Sequence, residues 1–179
     1  RYLSKLRNNG YFMVLLGFNA CKSSKDAVKT KTVELKHWLT VQKYPCFGHC
    51  QVYKLNMYRN GLVILEGKEH LEKTGVYFSQ LSQEKIRSFK RMGDALNWDS
   101  YQAEYIINIP DLPVTELSYF DENGAKRKFI KSNSNLPNAL DDLAKAMAGL
   151  IKTEKWTQIQ KKSDLTNPEI ISDEFIVDM

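Results

Sequence analysis

The stretch VYKLNMYRNGLVILEG, residues 52 to 67, most restricts what this chain can become. Tyr53, Leu55 and Met57 alternate with Lys54 and Asn56, the period-two pattern of a half-buried strand. Asn60-Gly61 follows; both residues tolerate positive φ, so the chain can reverse there and return as LVILEG in a β-hairpin. GVYFSQL, residues 75 to 81, supplies a third strand.

Helical spacing then replaces alternation. Ser82 is placed to cap a helix from Gln83 to about Leu96, with Ile86, Phe89, Met92 and Leu96 on one face and Asn97 as terminator. A second hairpin reads VTELSYF, the turn DENG, then AKRKFIK. Asn135 and Pro137 open a last helix reaching about Ile151. Its stripe of Leu140, Leu143, Ala144, Met147, Leu150 and Ile151 is a core face, not a cofactor box or a membrane helix. The order β-β-β-α-β-β-α predicts an α+β fold: an antiparallel sheet with two helices packed on one face. One domain over residues 44–151 is expected, with a tail, 152–179, whose EIISDEFIVDM can add a strand. No internal repeat or low-complexity tract interrupts it.

The N-terminus carries a different kind of information. Arg1, Lys5 and Arg7 precede an apolar run from Tyr11 to Phe18, and no acid appears before Asp26. That arrangement predicts a secretory signal peptide over residues 1–20; the run is too short for a membrane span of about 20 residues. A buried core strand would not account for the one-sided charge. Ala20-Cys21 resembles the junction of a bacterial lipoprotein signal, although Phe18 and Asn19 stand where such signals usually carry Leu and a small residue. Cys21 is therefore the expected lipidation site, and residues 21–43, opening CKSSKDAVKTKT, the expected polar tether to a bacterial membrane, on its periplasmic or outer surface. Loss of Arg1, Lys5 and Arg7 removes three of 26 basic residues and none of 21 acidic ones, reducing the net charge from +5 to +2. Most of the basic excess thus sits in the address segment, and no nucleic-acid partner is expected.

YPCFGHCQVYKLNMYRNGLVILEG, followed by KTGVYFSQLS, PDLP and NGAKRKFI, resembles the lipoprotein-borne family called domain of unknown function 6438. The resemblance rests on Pro45, Cys46, Phe47, Gly48, Cys50, Tyr53, Gly61, Gly67, Gly75 and the Asp111-Leu112-Pro113 run; Gln51 departs from the usual Pro, and His49 falls at a variable position. It covers roughly residues 44 to 151 and implies a domain carried behind lipoprotein signals, as in Bacteroidota. It implies no activity.

The pair Cys46 and Cys50 admits several chemistries. With Cys21 acylated, these two remain as one pair in an oxidising compartment, where a disulfide persists. A bridge needs Cα atoms about 4.4–6.8 Å apart, while an extended strand would hold them about 13 Å apart, so the chain must turn between them. Pro45 and Gly48 are the residues that permit such a turn. A reduced buried pair is the next reading. Cys46, His49 and Cys50 are also zinc-type ligands, with His37 or His70 as a fourth, but no second short-spaced ligand pair accompanies them. A thioredoxin-like pair would be Cys-x-x-Cys at a helix start, and this spacing is longer and precedes a strand.

Elsewhere no Gly-x-Ser-x-Gly, phosphate loop or His-Glu-x-x-His occurs, so no catalytic residue, cofactor or resident metal is assigned. Asp111, between two prolines in IPDLP, is the acid most rigidly held, and His49 shares the cysteine loop; both are noted as members of a possible functional loop. Trp38, Tyr44, Tyr101 and Tyr105 are candidates for an exposed aromatic face, though such residues more commonly serve the core. The expectation is a lipid-anchored envelope domain, non-enzymatic, that binds an envelope protein or glycan or serves structurally. The alternative is a metal- or thiol-dependent enzyme centred on Cys46, His49 and Cys50.

Overall fold

A computed structural model of the chain describes residues 35–160. The expected signal peptide, Cys21, most of the tether and the EIISDEFIVDM segment lie outside the described residues. Eight strands and two helices follow in order: β1 (His37–Lys43), β2 (Val52–Tyr58), β3 (Leu62–Glu69), β4 (Gly75–Gln80), α1 (Gln83–Asp94), β5 (Glu104–Tyr105), β6 (Thr115–Phe120), β7 (Lys126–Ser132), α2 (Asn138–Thr153) and β8 (Thr157–Gln158). They form one sheet in the order β5-β7-β6-β1-β2-β3-β4-β8. Among the described residues no helix is long and apolar enough to cross a membrane.

The sheet corrects the expected architecture in two ways. It is mixed rather than purely antiparallel, because β5 runs parallel to β7 at one edge, Glu104 opposite Lys131 and Tyr105 opposite Ser132. It also has eight strands rather than five. β5 and β8 are two residues each, too short to show any period. The third addition matters more: residues 37–43, read as tether, form β1, which lies between β2 and β6 in the middle of the sheet. The folded unit therefore begins before residue 44.

Both helices contribute to one hydrophobic core on one face of the sheet. Phe89 of α1 and the whole expected stripe of α2 are buried there against Leu39, Leu55, Met57, Leu65, Leu117 and Ile130 from five strands. Burying such side chains is worth about 1.5–3 kcal/mol each, which is what holds the helices down. A smaller cluster of Tyr58, Leu62 and Ile64 occupies the opposite face, joined by Leu35, Val76 and Phe78. α1 begins as expected, with Ser82 Oγ accepting the Lys85 N–H, but ends at Asp94, two residues early. There the Trp98 indole N–H donates to the Gly93 carbonyl at 3.2 Å, and the ring stacks on Tyr119. Lys85 pairs with Glu154, tying α1 to the end of α2.

The first hairpin closes differently from the simplest Asn-Gly turn. Of Asn60 and Gly61 only the glycine has positive φ, 84°, and its N–H donates to the Tyr58 carbonyl. This is a type I turn completed by a left-handed glycine, the geometry of a three-residue hairpin loop. The neighbouring hairpin uses Gly124 in the same way, with φ of 81°. Arg59 joins the two turns: it pairs with Glu122 at 2.9 Å and donates to the Phe120 carbonyl at 2.8 Å. In β3, Gly67 is required by close approach, since a Cβ there would lie 1.8 Å from the Lys73 carbonyl oxygen.

Candidate functional site

Two loops meet at the end of the sheet opposite those turns. The first, residues 44–51, connects β1 to β2; the second, residues 106–114, connects β5 to β6. The Tyr44 N–H donates to the Val114 carbonyl at 3.0 Å, and the Phe47 N–H to the Asp111 carbonyl at 3.2 Å. The second loop is also fixed at its start. Asn133, just past β7, accepts the Ile107 N–H at 2.8 Å and donates to the Ile107 carbonyl at 2.9 Å. The Tyr44 hydroxyl donates to Glu116 at 2.7 Å, and burial, followed by the Glu116 bond and charge, pushes its pKa up. The loops are thus braced by backbone bonds to each other and by side chains to the sheet.

Within the first loop, Cys46 and Cys50 lie at disulfide distance, their Cα atoms 5.8 Å apart. The reversal that brings them together runs through Gly48, at φ 129°. A Cβ on Gly48 would meet no atom within 4 Å, so the glycine is needed for its backbone conformation and not for space. So tight a loop encloses no interior, and the Phe47 ring at its tip is 89% exposed. Ile106, Ile107 and Ile109 of the second loop are exposed as well, so four of the five large exposed hydrophobic side chains among the described residues lie on these two loops. Loops held in one shape carry apolar groups into solvent here.

The candidates named from sequence are distributed unevenly. Asp111 is in the assembly, but through its backbone: with φ of 60° it turns the carbonyl toward Phe47 and leaves the side chain exposed. His49 is exposed, its ring centroid 5.0 Å from that of His70 at the start of the β3–β4 connection. His37, the other suggested fourth ligand, lies near the opposite end of β1, stacked on Phe120 and Tyr58. Among the described residues no group of three or more His, Cys, Asp or Glu side chains is disposed to hold a metal ion. Of the four aromatic candidates, Trp38 is buried in the core, and Tyr44, Tyr101 and Tyr105 are half-buried.

Phe47 was the aromatic to look for. Its signal is its position, since a loop closed by cysteines four apart has no interior of its own in which to bury a ring. The isoleucines of YIINIP gave a weaker one, an apolar run ending at a proline with no period to place it on an element.

The arrangement defines a class: a small α+β domain whose single sheet is covered by two helices on one face and carries a cysteine-closed loop at one end. The family model described as domain of unknown function DUF6438 matches residues 37–151. That span is well over half of the chain, and the protein belongs to this family. The match opens at His37, where β1 begins. No curated protein and no solved structure matches the chain.

Proposed function

We propose that this protein is a lipid-anchored, non-enzymatic binding module of the bacterial cell envelope, docking an envelope protein through its two braced loops. The observation that carries the binding role is Phe47, exposed at the tip of a loop whose shape Cys46, Cys50 and Gly48 hold in place. Binding through a surface already ordered avoids most of the entropy of immobilising loops, and exposed aromatic anchors are the usual centres of protein interfaces. Exposed isoleucines on the adjoining loop favour a protein over a glycan, which would ask for flat aromatic faces ringed by hydrogen-bonding groups. With their sulfurs at disulfide distance, Cys46 and Cys50 offer no thiolate, which weighs against the metal or thiol enzyme. The anchoring half of the proposal rests on the N-terminal pattern ending at Cys21.

Each half has its own test. Intact mass of the protein from its native membrane, alkylated without reductant, reads loss of residues 1–20 and acyl mass on Cys21; an unprocessed chain with three alkylated cysteines would overturn the anchoring. For binding, a photoreactive residue placed at Phe47 in living cells is compared with one at Lys90, on the exposed side of α1. A discrete adduct from position 47 alone supports the proposal. Identical adducts from both positions, or adducts only to lipid or glycan, reject it.

A further inference from the structure

We propose that the cleft between the end of β1 and the first turns of α2 binds a small hydroxylated monocarboxylate of hexuronic-acid type, with Lys43 as its counter-charge. The cleft shares Leu112 and Pro113 with the second loop, but it does not depend on the docking role proposed for Phe47 and the exposed isoleucines. The cleft measures about 590 Å³, within the range of small-molecule sites. Lys43 and Thr115, paired across β1 and β6, form one wall, and Asn138, Asp141 and Lys145 of α2 form the other.

The charges in this cleft do not balance internally. The Lys43 ammonium is partly buried, and its hydrogen bond runs to the neutral hydroxyl of Thr115 at 2.7 Å. Among the described residues no carboxylate lies within 4 Å of it. The charged residues lining the cleft are Lys43, Asp141 and Lys145, and Asp141 pairs with Lys145 at 2.6 Å. One positive charge is therefore left over. Burial lowers the Lys43 pKa, only partly opposed by the more distant Asp141. Holding a partly desolvated cation with only a neutral hydroxyl beside it is unfavourable, and an anion entering the cleft would relieve it.

The kind of anion follows from what else is there. One lysine is a point charge without the planar fork that grips phosphate, and Lys145 is already neutralised by Asp141. A monoanion matches this balance. The amides of Asn135 and Asn138 and the Thr115 hydroxyl offer donors and acceptors to a hydroxylated body, and Leu112, Pro113 and Leu136 offer apolar contact to its carbon frame.

The test is an NMR titration of the purified protein with glucuronate, with glucose and inorganic phosphate as comparison probes. Glucuronate is expected to shift the amides of Thr115, Asn138 and Asp141 saturably, and glucose to act at least tenfold more weakly. Lys43→Gln is expected to lower the glucuronate affinity at least tenfold. Asp141→Asn, at a half-exposed helix position that does not threaten folding, releases Lys145 and is expected to raise the affinity severalfold at low salt. The proposal is overturned by the absence of a saturable response, by equal affinity in either variant, or by phosphate moving the same amides as strongly as glucuronate.

Discussion

Against the rings of Phe120 and Tyr58, with centroids 3.9 and 5.1 Å away, His37 has little room for charge. Its Nε2 lies 2.8 Å from the Thr40 hydroxyl, which itself donates to Asn56, so the histidine is the donor in that pair. Burial first, then repulsion from Lys54 and Lys126, lowers its pKa to about 4, against an unfolded value of 6.5. Between those two values the unfolded chain binds the proton and the native one does not. Stability is therefore complete above pH 6.5 and falls as pH drops toward 4, by up to about 3 kcal/mol. Urea unfolding at pH 7 and pH 4.5 should show this loss, and His37→Gln should reduce it; an equal loss in the variant would remove His37 as the cause. Two glycines make a second comparison at this scale. Gly149→Ala in α2 meets open space and should stabilise by about 0.5–1 kcal/mol. Gly67→Ala forces a methyl against the Lys73 carbonyl and should destabilise by about 3 kcal/mol or more, read from the same urea midpoints.

At the scale of elements, the loop over residues 44–51 is a local device. In the chain-entropy account, closing so few residues stabilises by about 2 kcal/mol. Cys46→Ser with Cys50→Ser should cost about that amount in denaturant while leaving near-native circular dichroism, because the adjoining strands are paired independently of the loop. Global unfolding of the double variant would show instead that the loop organises the sheet. Which elements were legible from sequence follows from local order. β2 and both helices carry clear periods, β3, β4, β6 and β7 are apolar or β-prone runs set off by turn residues, and all appear within a few residues of their expected limits. β1 was missed because a bulge between His37 and Leu39 sends both Trp38 and Leu39 into the core, which breaks the alternation. The site was half legible: the cysteine pair, its turn and Asp111 could be read, while Lys43 was hidden with the strand that carries it. The contacts joining Phe47 to Asp111 and Lys43 to Thr115 cross between distant parts of the chain, and no local pattern encodes them.

For the whole molecule, the place of β1 sets where the domain can be cut. A chain begun at residue 35 should fold cooperatively. One begun at residue 44 loses the central strand, exposes the facing edges of β2 and β6, and should be insoluble or molten by near-ultraviolet circular dichroism. A well-folded product from the shorter chain would show that β6 can pair directly with β2 and that the observed strand order is not obligatory.

The same placement governs the order in which the molecule can come together as it is made. β1 is the first of the described strands to leave the ribosome, and it can pair with β2 within a few residues. Its other edge waits for β6, where Leu39 meets Tyr119 about 80 residues later. Until that strand arrives, one edge of β1 is open and the core that α2 closes is absent, so contacts of long sequence separation decide the outcome. A nascent chain of this design stays unfinished until β6 and α2 have both emerged. Until then the described domain has no closed core to resist being drawn, as an open chain, through a narrow pore.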